Sequence, residues 1–413
     1  MLSPYRVLDL TTERGLLCGQ ILGDLGADVI KVEPPGGSPA RQLGPFYQDQ
    51  PHPDRSLYWW SYNRNKRGIT LNLESPDGQA LLRRLVTSAH FLIESDTPGA
   101  LARHGCGYAD IATLNPALVY VSITPFGQDG PKANYADSDL IVLAAGGPLI
   151  LTGDEDRAPV RVGVPQAYLH ASGQAAVAAL IAHRERQRSG QGQHVDVSAQ
   201  QAVAQATQSS ILAAPLGERD YERIAGGVKM GPVKVRLVWP AKDGYVSIVF
   251  LFGSAIAHFT RRFMEWVCEE GFCDTATRDQ DWVAFGSIFM GDTEALKEYD
   301  RLVEVVSRFT ASKTKADLLE AALDRGLLIA PITTTDEVWQ SEQLAARQYW
   351  QPLDHPELGK TVHYPGPFAK FSAAPLKYRR RPPTVGEHNR EMYVGELGLT
   401  EGQFVELQGK GVI

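Results

Sequence analysis

The chain has 413 residues, which is long for a single hydrophobic core and fits about two domains. Hydrophobic residues make up 43% and charged residues 22%, a globular composition that excludes an intrinsically disordered chain. The formal net charge of −7 excludes the diffuse positive field of a non-specific nucleic-acid-binding protein, but a local basic pocket can still hold an anion.

The cysteine content and the opening residues predict a cytoplasmic protein. Four cysteines are few for this length, whereas secreted disulfide scaffolds are denser. The first residues do not place an apolar stretch after a basic segment, so we expect no signal peptide. No run of about 18 apolar residues occurs, so we expect no membrane span.

The first 123 residues alternate between two kinds of pattern. Apolar runs typical of strands occur at 5–10, 27–33, 68–73, 91–93 and 119–123, and helical patterns separate them at 15–26, 77–88 and 108–114. The second run ends at the strong breaker Pro34-Pro35-Gly36-Gly37. Strands that alternate with helices predict an α/β fold with an open, Rossmann-like parallel sheet.

The pattern then changes twice along the chain. The best helix is predicted at 166–187, directly after Pro165, and a strand follows at 191–198. Between 216 and 330, strands at 235–239 and 245–250 bracket a turn, and helical stretches rich in Trp, Phe and Glu follow. We therefore predict a large domain from 1–215 plus 331–413 and a smaller α+β domain at 216–330.

Short catalytic and cofactor motifs are missing from the sequence. It contains no G-x-x-x-x-G-K-[ST] phosphate loop, no G-x-G-x-x-G after the first strand and no G-x-S-x-G nucleophile elbow. Cys268 and Cys273 have no matching His or Cys pair nearby, so we expect no zinc site and no other bound metal.

Longer segments carry a family resemblance. In chain order they are LGDLGADVIKVEPPG at 22–36, NKRGITLNL at 65–73, ESDTPGALARHG at 94–105, GVP at 163–165, HRER at 183–186, GQGQHVDVS at 190–198, GEH at 386–388 and GVI at 411–413. Together they cover nearly the whole chain, and the sequence resembles the class III CoA-transferase, or CaiB/BaiF, family.

The resemblance implies an activity and an assembly. Members of this family move coenzyme A from an acyl-CoA to a free carboxylic acid, and they form interlocked dimers with a large Rossmann-like domain and a small domain. An aspartate acts as the nucleophile through a mixed anhydride, an aspartyl-CoA thioester and a second anhydride, so that one difficult step is split into easier ones.

The position of that aspartate is occupied by a tyrosine. The family pattern Gly-x-Pro-x-Ala reads Gly163-Val164-Pro165-Gln166-Ala167 here, and Tyr168 follows. A tyrosine hydroxyl has an ordinary pKa of about 10 and stays protonated at neutral pH. It also has no carbonyl carbon, so it cannot carry CoA as a thioester. We therefore name no catalytic residue in this chain.

Three explanations remain open. The chain resembles the aspartate-lacking subunit of two-subunit benzylsuccinate CoA-transferases, whose paralogous partner keeps the aspartate. In that case the two subunits together move CoA from a donor such as succinyl-CoA to a carboxylic acid such as a substituted succinate. Alternatively Asp137, Asp139 or Glu13 replaces the nucleophile. The third explanation is a racemase-like or non-catalytic CoA-binding scaffold protein. Racemases of the family need a His and Asp pair, and Ser138 near the histidine position counts against this activity.

The CoA site implied by the resemblance is spread over several segments. Arg41 and Arg103 match arginines near the CoA phosphates, since the guanidinium fork suits phosphate oxygens. Leu71, Asn72 and Leu73 correspond to the adenine pocket. The family turn Asn-Phe-x-Pro-Gly is here Ser95-Asp96-Thr97-Pro98-Gly99, which contributes Ser95 and Thr97 and adds an acid. We therefore expect CoA or acyl-CoA as the substrate, with no membrane or nucleic-acid partner.

Overall fold

The structure is a computed structural model that describes residues 1–217 and 223–413. It divides the chain into a first unit, Met1–Leu149, Val162–Leu216 and Glu342–Ile413, and a second unit, Ile150–Arg161 and Gly217–Ser341. The division drawn from the sequence did not assign 150–161 to the smaller domain. This segment belongs there because Asp154 accepts hydrogen bonds from Arg223 at 2.7 Å and from the backbone of Ala225 at 3.0 Å.

A six-stranded parallel sheet forms the centre of the first unit. Its strands are β1 (Arg6–Asp9), β2 (Asp28–Glu33), β3 (Lys66–Thr70), β4 (Phe91–Glu94), β5 (Val119–Thr124) and β6 (Gln193–Ser198). The spatial order is β3-β2-β1-β4-β5-β6, with every neighbouring pair parallel. This arrangement confirms the predicted α/β class. The order reverses between β1 and β4, which opens a crevice at their carboxyl ends.

Helices cover both faces of this sheet. They are α1 (Leu16–Asp24), α2 (Leu57–Asn63), α3 (Pro76–Val86), α4 (Ala100–Arg103), α5 (Tyr108–Leu114), α6 (Asp139–Ala145), α7 (Ala167–Ser189), α8 (Ala199–Ala204) and α9 (Gln208–Ala213). The start of α3 shows how the local sequence sets a boundary, since Pro76 stands at its first position and the hydroxyl of Ser75 accepts from Gly78 N at 3.0 Å. The predicted alanine face of α7 is buried at Ala167, Ala171 and Ala175, which lets the helix approach the sheet closely.

The second unit combines small antiparallel sheets with helices around an aromatic core. Its elements are β7 (Gly227–Met230), β8 (Val233–Arg236), β9 (Val238–Ala241), β10 (Gly244–Ile248), α10 (Ala257–Glu269), α11 (Thr275–Arg278), α12 (Thr293–Ala311), α13 (Lys315–Arg325), β11 (Ile329–Pro331) and α14 (Thr335–Trp339). The strand predicted at 235–239 is two strands, because Gly226 O accepts from both Leu237 N and Val238 N and bends the chain there.

The last segment returns to the first unit. It contains α15 (Glu342–Ala346), β12 (Trp350–His355), β13 (Lys360–Pro365), a π-helical turn at Glu391–Glu396 and α16 (Glu401–Gly409). Short 3-10 turns occur at Pro39–Gln42, Tyr47–Asp49, Pro148–Leu151, Gln205–Thr207, Ala214–Leu216, Ala284–Met290 and Pro356–Leu358. Within the described ranges, every helix is too short or too polar to cross a bilayer.

Candidate functional site

A cavity of about 300 Å³ lies at the carboxyl ends of β1 to β4 in the first unit. Its walls include Leu71, Asn72 and Leu73 after β3, Thr11 and Thr12 after β1, and Asp96 after β4. This is the edge of a parallel sheet where ligands of open α/β proteins bind. The structure therefore brings three of the predicted CoA-site residues to one crevice, and CoA binding there stays a prediction.

Backbone hydrogen bonds hold the walls of this cavity in place. Leu71 N donates to Glu33 O at 2.7 Å, and Asn72 N donates to Val412 O at 2.7 Å. Across the crevice, Thr12 N donates to the hydroxyl of Ser95 at 2.8 Å. These bonds tie the ends of β1 and β4 together and join the β3 side of the crevice to β2 and the C-terminal segment.

Two of the predicted CoA-binding residues have other partners. Arg41 is 1% exposed, and its guanidinium donates to Glu33, Asp54 and two backbone carbonyls, so all five of its N–H groups are engaged. Ser95 is fully buried and its hydroxyl bonds Thr12. As placed, neither side chain is available to a ligand. The resemblance could not reveal these partners, and a CoA contact of either residue stays a prediction.

The other two predicted residues follow β4 and are exposed. Thr97 is exposed, and its carbonyl accepts from Ala100 N at 2.9 Å in the turn that begins α4. Arg103 is exposed at the end of α4. Neither residue belongs to the cavity lining, and a CoA contact of either stays a prediction.

A buried charge network lies behind the β1 end of the cavity and was missed by the sequence analysis. Asp9, Lys31 and Lys66 are all fully buried. The ammonium of Lys66 donates to Asp9 Oδ2 at 2.8 Å, and that of Lys31 donates to Asp9 Oδ1 at 3.2 Å and to the carbonyl of Thr11. Against the effect of burial, the two lysines lower the pKa of Asp9 to about 2. Alternating strand patterns cannot reveal this network, because its members come from three strands.

Glu94 is a second titratable group that sequence reasoning missed. Burial raises its pKa to about 7, and its Oε2 accepts from Asp96 N at 2.8 Å. Ser122 hydrogen-bonds the same carboxyl and also contacts His194 Nε2 at 2.9 Å. Glu94 is the last residue of β4 and lies two residues before Asp96, which lines the cavity. This position at the carboxyl end of a parallel strand was the sequence signal that could have identified Glu94 as a site residue.

Tyr168 belongs to a separate cluster in the same unit. Its hydroxyl donates to Asp137 Oδ2, and Arg14 holds Asp137 through Nε at 3.1 Å and Nη2 at 2.7 Å. Burial, followed by the hydrogen bond to Asp137, raises the pKa of Tyr168, so the phenol is neutral at physiological pH. Arg14 Nη1 also donates to Ser95 O at 3.3 Å, which links this cluster to the turn after β4 that contains Asp96.

The carboxylates considered as replacements for the nucleophile have structural contacts. Asp137 is held by Arg14 and Tyr168, and its side chain is 10% exposed. Asp139 Oδ1 accepts from Gln166 N and Ala167 N, both at 2.7 Å, and so caps the start of α7. Glu13 is half-buried, and its backbone carbonyl accepts from the Tyr58 hydroxyl at 3.3 Å. An ion-paired carboxylate of low exposure is a poor nucleophile, which argues against Asp137.

A metal centre is not indicated by the side chains. Over residues 1–217 and 223–413, no group of three or more His, Cys, Asp or Glu side chains has the spacing of a metal site.

Comparison with known proteins places these features in a family. The family model described as "CoA-transferase family III" matches residues 2–389. The chain is 35% identical to the succinyl-CoA:(R)-benzylsuccinate CoA-transferase subunit BbsE of Thauera aromatica, over 100% of this chain and 98% of that protein. It is 34% identical to the succinyl-CoA–D-citramalate CoA-transferase of Chloroflexus aurantiacus, again over 100% and 98%.

A solved structure shows the same architecture. A CaiB/BaiF family protein from Brucella suis superposes with a TM-score of 0.79 at 28% identity, and the match covers 95% of this chain and 98% of that one. The family model, the two relatives and the solved structure each match nearly the whole chain. The parallel sheet agrees with the fold of the solved structure. This chain belongs to CoA-transferase family III.

Proposed function

We propose that this chain is the subunit without the nucleophile in a heteromeric CoA-transferase. A paralogous partner subunit supplies the aspartate that receives the acyl group and then CoA. The assembly moves CoA from a donor such as succinyl-CoA to a carboxylic acid, with a substituted succinate such as benzylsuccinate as the acceptor.

The observation that carries this proposal is the environment of Tyr168. The side chain at the nucleophile position is a buried, neutral phenol bound to Asp137. A phenol offers no carboxyl carbon for thioester formation, and the neighbouring Asp137 is already held by Arg14. This environment supports covalent steps on another chain.

The names of the relatives support the assignment of a partner and an acceptor. BbsE is named as a subunit of a benzylsuccinate enzyme, and the Chloroflexus protein as a D-citramalate enzyme. Both acceptors are substituted four-carbon dicarboxylic acids: benzylsuccinate carries a benzyl group, and citramalate carries a hydroxyl and a methyl group on one carbon. A substituted four-carbon dicarboxylate is therefore the acceptor class that we assign to this assembly.

We assign CoA binding in this chain to the cavity at the β1/β4 crevice. Leu71, Asn72 and Leu73 form one wall, and the exposed Thr97 and Arg103 follow the lining residue Asp96 along the chain. Leucine side chains suit the adenine ring, and a guanidinium suits a phosphate. Arg41 and Ser95 support the loops around this site through their buried contacts.

We also assign the assembly to the cytoplasm. All four cysteines, Cys18, Cys106, Cys268 and Cys273, are free thiols, as expected in a reducing compartment.

The test is native mass spectrometry of this chain co-expressed with its candidate paralogue, before and after incubation with succinyl-CoA. We expect a heteromeric complex in which only the partner gains a covalent adduct with the mass of CoA less water. Replacing the partner's aspartate with alanine should abolish the adduct, and Tyr168→Phe in this chain should leave it unchanged. An adduct on this chain as a homodimer would overturn the proposal, and peptide mapping would then locate the carboxylate. A homodimer without adduct or CoA binding would favour a scaffold protein.

A further inference from the structure

Asp96 lines the cavity, and basic side chains from several elements act on its carboxylate. Asp96 is half-buried and lines the cavity. Its burial raises the pKa of its carboxyl group, and the charges of Lys31, Arg14, His104 and Arg103 act in the opposite direction. These cations come from β2, from the segment after β1 and from the end of α4, so Asp96 lies where several elements converge.

Positive charge exceeds negative charge around Asp96. Lys31 and Lys66 share the single carboxylate of Asp9, and burial lowers the pKa of Lys66 only to about 8, so the Lys66 ammonium stays charged at neutral pH. The buried network therefore carries one uncompensated positive charge. Among the described residues, Arg103 forms no ion pair within 4.0 Å and adds a second such charge.

Three other charged groups near the crevice already have partners. Arg14 pairs with Asp137 at 2.7 Å, and His104 lies 3.5 Å from Glu74. Glu33, which also lines the cavity, is neutralised by Arg41 at 2.6 Å.

Two further groups respond to the charge of Asp96. Glu94 receives the Asp96 backbone N–H, and the negative charge of Asp96 contributes to the raised pKa values of Glu94 and Tyr120. Asp96 is thus the carboxylate that balances the surplus positive charge at the crevice without a direct salt bridge to any described residue.

From this arrangement we infer that Asp96 is a specificity-determining residue that competes with the anionic part of the ligand. Its carboxylate occupies the positive potential that a phosphate group of CoA would otherwise neutralise, and its charge repels that phosphate. Asp96 thereby lowers the affinity of this subunit for CoA. The identity of the ligand rests on the proposed function, whereas the competition with anions does not.

The test uses the full chain and the variant Asp96→Asn. Within residues 1–217 and 223–413 the side chain of Asp96 accepts no hydrogen bond, and its backbone N–H bond to Glu94 survives the substitution, so the variant should fold. Asp77→Asn is the matched control, because Asp77 is an exposed aspartate on α3 outside the cavity lining. Isothermal titration calorimetry measures binding of CoA and, separately, of inorganic pyrophosphate at low and physiological salt.

We expect Asp96→Asn to bind both anions about tenfold more tightly than the wild type at low salt, with a smaller gain at physiological salt. Asp77→Asn should match the wild type. A gain for pyrophosphate without any CoA binding would support the inference and remove CoA binding from the proposed function of this chain. If Asp96→Asn binds neither anion more tightly than Asp77→Asn does, the inference is wrong, whatever the wild type does with CoA.

Discussion

The hydroxyl of Tyr168 donates a hydrogen bond to Asp137 Oδ2, while Arg14 holds both oxygens of the same carboxylate. The tyrosine thus completes the coordination of a guanidinium–carboxylate pair at the position where relatives of the family carry their nucleophile. The substitution at this position is accompanied by a set of contacts that a shorter aspartate side chain could not make.

Removing only this hydroxyl should reduce stability without affecting the chemistry. Tyr168→Phe removes one of the two donors to Asp137 Oδ2, while the bond from Arg14 Nε remains, and we expect a loss of about 1–2 kcal/mol in the free energy of unfolding. Urea denaturation measures this loss. Tyr135→Phe is the control, because Tyr135 is 61% exposed and should change stability by less than about 0.5 kcal/mol. A fall in transferase activity of the assembly with unchanged stability would instead give the hydroxyl a chemical role.

Arg41 should behave as a structural residue. Arg41→Ala leaves the buried carboxylate of Glu33 without its bidentate partner, and we expect a loss of about 3–5 kcal/mol. Arg390→Ala is the comparison, because Arg390 forms an exposed ion pair with Glu401 that should contribute less than about 1 kcal/mol. Chemical denaturation measures the free energy of unfolding of both variants, and the loss should be much larger for Arg41→Ala than for Arg390→Ala. A small effect of Arg41→Ala on stability together with a large loss of CoA affinity would restore the phosphate role.

Glu94 should make stability depend on pH near neutrality. Burial raises its pKa to about 7 in the folded protein, whereas an unfolded glutamate titrates near about pH 4.3. The stabilisation from this group is therefore complete below about pH 4.3 and is lost as the pH rises through about 7.

The variant Glu94→Gln removes this titration. Relative to wild type, its free energy of unfolding should rise by about 3 kcal/mol between pH 4.5 and pH 8. Urea denaturation across this range measures the difference, and Glu401→Gln controls for the loss of one exposed carboxylate. A difference between wild type and Glu94→Gln that stays constant with pH would contradict the assignment.

Gly19 should be required by the buried charge network. A Cβ atom at this position would lie 2.1 Å from Asp9 Oδ2, so Gly19→Ala forces the carboxylate away from Lys66 and should cost about 1–3 kcal/mol. Gly173→Ala is the matched control in another helix, since nothing lies within 4 Å of its added Cβ. The control should be neutral or more stable by up to about 1 kcal/mol. Thermal unfolding measures the stability of both variants. An equal change in stability for Gly19→Ala and Gly173→Ala would show that the loss at Gly19 does not come from a steric clash with Asp9.

The sequence predicted the parallel sheet because its strands are short apolar runs separated by helical periods. It also located Leu71, Asn72 and Leu73, which the structure places at one cavity. The partners of Arg41 were not predictable, because Pro383 is distant in sequence and only folding brings its carbonyl to the guanidinium at 3.0 Å. The same reason applies to Asp9 and its two lysines, since strand patterns report burial and not which polar atoms meet.

The distribution of the sheet along the chain has a consequence for protein synthesis. All six parallel strands lie before residue 199, so a ribosome synthesises the whole sheet before it reaches Gly217–Ser341, the longer segment of the second unit. In contrast, Asn72 N and the Arg41 guanidinium donate hydrogen bonds to the carbonyls of Val412 and Pro383, which are synthesised much later. A nascent chain can therefore assemble its sheet early, while the cavity walls reach their final contacts only after the last segment emerges.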